Sequence, residues 1–184
     1  MPRAGIVLNQ NSRVQRDWLR AVCFTETPVE HVKLQMSTIL GRKLHFQPYG
    51  LAFREEAIRN ARGNPVFYVE TRNSPVWDSF DKLAESDLCS SFRTFLPLVE
   101  AFGAPLFGRP YGPKEIDFRW EREWRVVGDF SFTFSDVAFG FCPMDQIARF
   151  EAMVGKQFPF VDPTEDVTLV KAKLRADPRL ADLK

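Results

Sequence analysis

The chain has 184 residues, 45% of them hydrophobic and 27% charged, which suits one globular domain around a single core. Its formal charge of +1 supplies no global field toward nucleic acid or anionic lipid. It has no apolar run of about 18 residues and no long apolar leader in "MPRAGIVLNQNSR", so neither a spanning helix nor a secretory signal is expected. The reading is a cytoplasmic protein without a membrane partner.

Cys23, Cys89 and Cys142 are widely spaced, with no C-x-x-C, and His31 and His45 stand at no metal-ligand spacing. Buried thiols and no metal site are expected. The 18 phenylalanines predict a core dominated by aromatic burial.

In chain order, "AVCFTE" (21–26) reads as a short buried strand. It runs into a helix with Thr27 as N-cap, Pro28 at the first position and Glu30 closing a capping box. Val29, Val32, Met36, Ile39 and Leu40 form its stripe, and Gly41 ends it. "YGLAF" (49–53) is a strand, "REEAIRNA" a short helix closed by Gly63, and "PVFYVE" (65–70) a third strand. A long helix is predicted from Trp77 to Phe102, kinked near Pro97, and then an irregular loop over 103–115.

A strand over 115–127 turns at Gly128-Asp129 into "FSFTF" (130–134), and "DVAFGFCP" (136–143) is a strand with a bulge at Gly140. Two helices follow, at about 144–154 and from Pro163-Thr164 toward Ala176, giving a C-terminal helical segment over about 144–184. Neighbouring strands near 115–142 favour hairpins. The expected class is α+β, a mostly antiparallel sheet with flanking helices, in one domain spanning 1–184.

"DFRWEREWRVVG" (117–128) carries the functional question. On a continuous strand Glu121 and Glu123 share a face with Asp117, Arg119 and Arg125, their Cα atoms about 6.5–7 Å apart. Such a pair can divide catalytic labour, one carboxylate orienting and the other stabilising positive charge. A solvated face of alternating charges is the competing reading. Arg122 falls among Ile116, Phe118, Trp120, Trp124 and Val126, where a guanidinium needs a carboxylate or a stacked tryptophan. Thr25 at the end of "CFTE" either lines a pocket or caps the next helix. Tyr49 either stacks on a ligand ring or packs, and Arg54 either grips a phosphate or faces solvent.

"VCFTETPVEH", "PYGLAFREEAIRNARGNPVFYVE" and "DFRWEREWRV" together resemble the abortive-infection AbiGi-type family of phage-resistance antitoxins, over roughly residues 21–130. That resemblance implies a phage-defence protein that binds a cognate toxin, with no cofactor. The strand glutamates are also reminiscent of the ADP-ribosyltransferase superfamily. By that likeness the fold would be ADP-ribosyltransferase-like and the cofactor NAD. Glu123 would be the catalytic carboxylate and Glu121 its orienting neighbour, with Thr25, Tyr49 and Arg54 around the cofactor. The sequence shows no histidine-led "HFT" segment before Cys23, so the resemblance favours a copy that lacks the nicotinamide-binding element and works by binding. A third reading is a non-catalytic interaction domain without a defence role. A basic patch from Arg13, Arg16, Arg20, Arg42 and Lys43 would be needed for nucleic acid.

Overall fold

The computed structural model describes residues 3–5, 20–37, 46–72, 74–79, 95–102 and 117–183. The architecture is α+β, and four of the six strand pairings among the described residues are antiparallel. A four-stranded sheet runs in the order β1 (Arg3–Gly5), β3 (Gly50–Phe53), β8 (Val137–Phe141), β9 (Phe160–Val161). A three-stranded sheet joins β2 (Ala21–Thr25), β7 (Glu123–Val127) and β4 (Asn64–Pro65), and β5 (Phe67–Glu70) pairs in parallel with β6 (Val99–Phe102).

Every residue of β8 is buried, as expected of a strand covered on both faces. On one side Ala138, Phe139 and Phe141 pack with Val32 of α1 (Val32–Met36), with Val170 and Leu174, and with Leu180. On the other, Val137 and Phe53 meet Phe24, Val126, Phe158 and Phe160, with Ile58 of α2 (Glu55–Asn60) in the same cluster. Phe53 anchors edge-on contacts to Phe24, Phe130 and Phe132 at 5.7, 5.2 and 4.9 Å. The phenylalanine-rich composition thus becomes an interlocked aromatic core.

The bulge lies elsewhere than predicted. Ala52 pairs with Phe139 and Phe53 with Val137, so Ala138 is the extra residue on β8. Gly140 keeps its register, opposite Leu51 and Phe160. It admits the Phe160 ring, because a Cβ there would stand 2.1 Å from Phe160 Cε1.

Other boundaries also differ. The box expected at Thr27 does not form: Pro28 precedes a 3-10 turn at Val29–His31, and the Thr27 hydroxyl turns inward to Thr25. The described helix ends at Met36, and Ile39–Gly41 lie outside the described residues. "PVFYVE" splits at Val66, β4 joining β7 and β5 joining β6. The helix predicted over 77–102 begins at 75–79, but its end is a 3-10 turn at Leu96–Leu98 followed by β6. Pro97, which donates no backbone hydrogen bond, sits where helical geometry has given way. The 103–115 loop, His45 and Cys89 lie outside the described residues.

"FSFTF" joins no ladder among the described residues, and Thr133 and Asp136 form the capping box of a 3-10 turn. The C-terminal helices α3 (Ile147–Met153) and α4 (Val167–Ala176) are present. The second is capped by the Asp166 carboxylate, which accepts from the amides of Thr168 and Leu169, so it starts later than Pro163-Thr164. Cys23 and Cys142 are buried free thiols. No described helix is long and apolar enough to cross a membrane.

Candidate functional site

The continuous strand predicted over 115–127 is interrupted. Arg119–Glu121 form a 3-10 turn, Arg122 adopts left-handed backbone at φ 48°, and β7 begins at Glu123. The reversal at Arg122 breaks the two-residue alternation. Glu121 and Glu123 are both 6% exposed, but not as neighbours on one strand face. Arg122 swings to solvent and donates to Glu26 Oε2 at 2.9 Å, so it is not on the apolar face. The tryptophans do not take it up: Trp120 Nε1 donates to Asp117 O, and Arg59 lies 5.2 Å over the Trp124 ring.

Glu123 and Arg125 do share a strand face, and that face is buried rather than solvated. Arg125 Nε and Nη2 donate to the two Glu123 oxygens at 3.0 and 2.8 Å. Nη2 also reaches Glu100 Oε2 at 2.8 Å, and Nη1 reaches Pro97 O at 2.7 Å. The Glu123 amide donates to the Tyr68 hydroxyl. Planar, two-pronged geometry suits guanidinium to this carboxylate. The network ties β7 to the β5–β6 pair, which as a lone two-stranded parallel unit would be weak.

Cys23 stands opposite Arg125 in the β2–β7 ladder. Burial, then the Glu123 charge, pushes its thiol well above the ordinary range, the reverse of what a nucleophile needs. Burial likewise pushes Tyr68 up to about 12. For Arg125, burial works to lower the pKa, but the Glu123 hydrogen bonds and charge, then the Glu100 charge, outweigh it and keep the guanidinium ionised.

Beside this network, Thr25 Oγ1 donates to Glu121 O, and Gln35 Nε2 donates to the Thr27 and Thr25 hydroxyls. Gln35 Oε1 is buried without a partner. Thr25 pairs in register with Glu123, so the structure does bring Thr25 to both glutamates. Tyr49 and Arg54 find contacts elsewhere. Tyr49 is 46% exposed, its hydroxyl 3.4 Å from Gln146 Oε1 and its ring against Phe150. Arg54 Nε donates to Ser135 O, and its six-residue helix is too short to hold a phosphate at its start.

Among the described residues no three His, Cys, Asp or Glu side chains could hold a metal ion. Of the basic patch, only Arg20 is described, and it pairs with Asp129.

The "CFTE", "NPV-x-Y" and "EREWR" segments therefore converge: Thr25, Tyr68, Glu123 and Arg125 all meet at β7. A family model described as "Putative abortive phage resistance protein AbiGi, antitoxin" matches residues 7–158. The chain belongs to the AbiGi family. No curated protein and no solved structure matches it. In this AbiGi member Arg125, Glu100 and Tyr68 are the site residues that sequence reasoning missed. Arg125 had a signal, standing two residues from Glu123 on the same face. Glu100 had none, because its segment read as helix.

Proposed function

We propose that this AbiGi protein is a cytoplasmic phage-defence antitoxin that acts by binding a cognate toxin protein, without a cofactor. The family match supports the defence context. The observation that carries the binding reading is the satisfied state of Glu123: both its oxygens are engaged by buried Arg125. A carboxylate so held is poorly placed to meet a developing oxocarbenium charge, and this favours a structural part for it over NAD chemistry with Glu121.

The test is rescue of growth. A candidate cognate toxin is expressed with and without this chain, and the purified pair is titrated by calorimetry. Relief of growth arrest together with saturable binding is expected. Relief without binding, or NAD turnover by the purified chain that Glu123→Gln abolishes while melting is retained, would overturn the reading in favour of an ADP-ribosyltransferase-like enzyme.

A further inference from the structure

The β5–β6 pair is seated differently from the larger sheets. Every residue of β8 is buried, whereas no described side chain of β5 or β6 is, and Phe67 is 57% exposed. Among the described residues, neither apolar cluster contains a side chain of β5 or β6. The buried residues lie at one end. Val66 and Leu98, 8% and 9% exposed, precede Phe67 and Val99, which are register partners in the parallel pair. There the chain leaves β4, and the Val66 amide donates to Glu123 O at 2.9 Å.

Beyond that base, residues 117–125 reach the pair through polar groups. Arg125 Nη2 donates to Glu100 Oε2 at 2.8 Å, and the Glu123 amide donates to the Tyr68 hydroxyl at 3.2 Å. Arg119 lies 4.1 Å over the Phe102 ring, its own position set by two hydrogen bonds to Asp117 at 3.0 and 2.7 Å. Two arginines of one motif thus grip β6, one near its start and one at its end. Such contacts exchange water for protein partners and gain little net, whereas apolar burial holds the larger sheets. A two-stranded pair released from its support does not keep its ladder. Few buried apolar contacts mark the part of a fold that opens first.

We infer that β5–β6 is a hinged flap, seated at Val66 and Leu98 and latched by Arg125 and Arg119, which opens from the folded protein and uncovers the Glu123–Arg125 pair. Opening gives up the Glu100, Tyr68 and Phe102 contacts. It leaves the Val66 amide bonded to Glu123 O and Arg125 Nη1 bonded to Pro97 O.

The test is hydrogen exchange on the full chain, in urea concentrations below the unfolding transition. The β5–β6 ladder amides and that of Thr71, which donates to Phe102 O, should exchange as one set. That set should be at least about tenfold less protected than the amides of Val66 and Cys142, with a shallower urea slope because opening exposes less surface. Two variants separate a flap from global unfolding. The double variant Arg119→Ser/Glu100→Gln weakens the closed form against both the open and the unfolded state, so it should speed every set by about tenfold. Val170→Ala weakens a core that stays folded in the open form. It should speed Val66 and Cys142 and leave the flap set at the parental rate. Equal protection and slope for all these amides, fraying from Thr71 inward, or a flap set sped by Val170→Ala overturns the flap. A flap set unchanged in the double variant overturns the latch, and a Val66 amide that exchanges with the flap overturns the hinge.

Discussion

Cys23 and Arg125 are direct partners across the β2–β7 ladder, so a protonated thiol and a charged guanidinium share one buried site beside Glu123. The thiol is held neutral by burial and by the nearby carboxylate.

That arrangement makes stability depend on alkaline pH. The folded pKa of Cys23 lies above its ordinary 9.0, and that of Tyr68 is about 12 against 10.0. For groups raised on folding, the stabilisation is full below the unfolded pKa and is lost as pH climbs through the folded one. Urea midpoints should therefore fall as pH rises from about 9 toward 12. Cys23→Ala should flatten the early part of that fall and Tyr68→Phe the later part. A profile identical in both variants would refute the assignment.

Arg125→Ala leaves the buried Glu123 carboxylate without its guanidinium and removes the Glu100 ion pair, and should cost about 3–5 kcal/mol of unfolding free energy. Glu123→Gln keeps one acceptor and the Glu100 partner, so its loss should be smaller, about 1–3 kcal/mol. In a double-mutant cycle the two positions should couple by more than about 1 kcal/mol, and additive losses would argue against the pairing.

Gly140→Ala should destabilise by about 1–3 kcal/mol, because its Cβ meets the Phe160 ring 2.1 Å away. Combining it with Phe160→Leu should cost less than the sum of the two single changes, measured by denaturant titration. Strict additivity would mean the ring is not the obstacle.

At Arg122, φ 48° is left-handed backbone that a β-branched residue resists. Arg122→Val should lose about 1–2 kcal/mol. Arg122→Gly relieves the backbone but gives up the Glu26 ion pair, so its melting should stay close to the parent. Equal losses in the two variants would assign the effect to the ion pair instead.

Much of the chain was legible locally. The strands at 21–25, 50–53 and 137–141, the short helix after Arg54 and the C-terminal helices follow from periodicity and from turn and cap residues close by in sequence. The motif segments carried the family, and parts of them, "CFT", Asn64-Pro65 with Tyr68, and "EWRV", meet at β7. The pairing of Glu123 with Arg125 on one face was implicit in a two-residue spacing.

Tertiary structure decided whether that face is wet or buried. Alternating charges read the same on either, and only the arrival of β6 with Glu100 and the Pro97 carbonyl closes solvent off. The helix-like spacing of 77–102 could not announce β6, because a parallel pairing rewards Val99–Phe102 through Phe67–Glu70 far back in the chain. The left-handed turn at Arg122 was invisible for a related reason: nothing in arginine favours it, and the surrounding packing pays for it. By itself, then, the sequence determined those locally coded strands and helices, the aromatic core and the family. The fold decided which glutamates are buried, because that depends on which remote residues cover them.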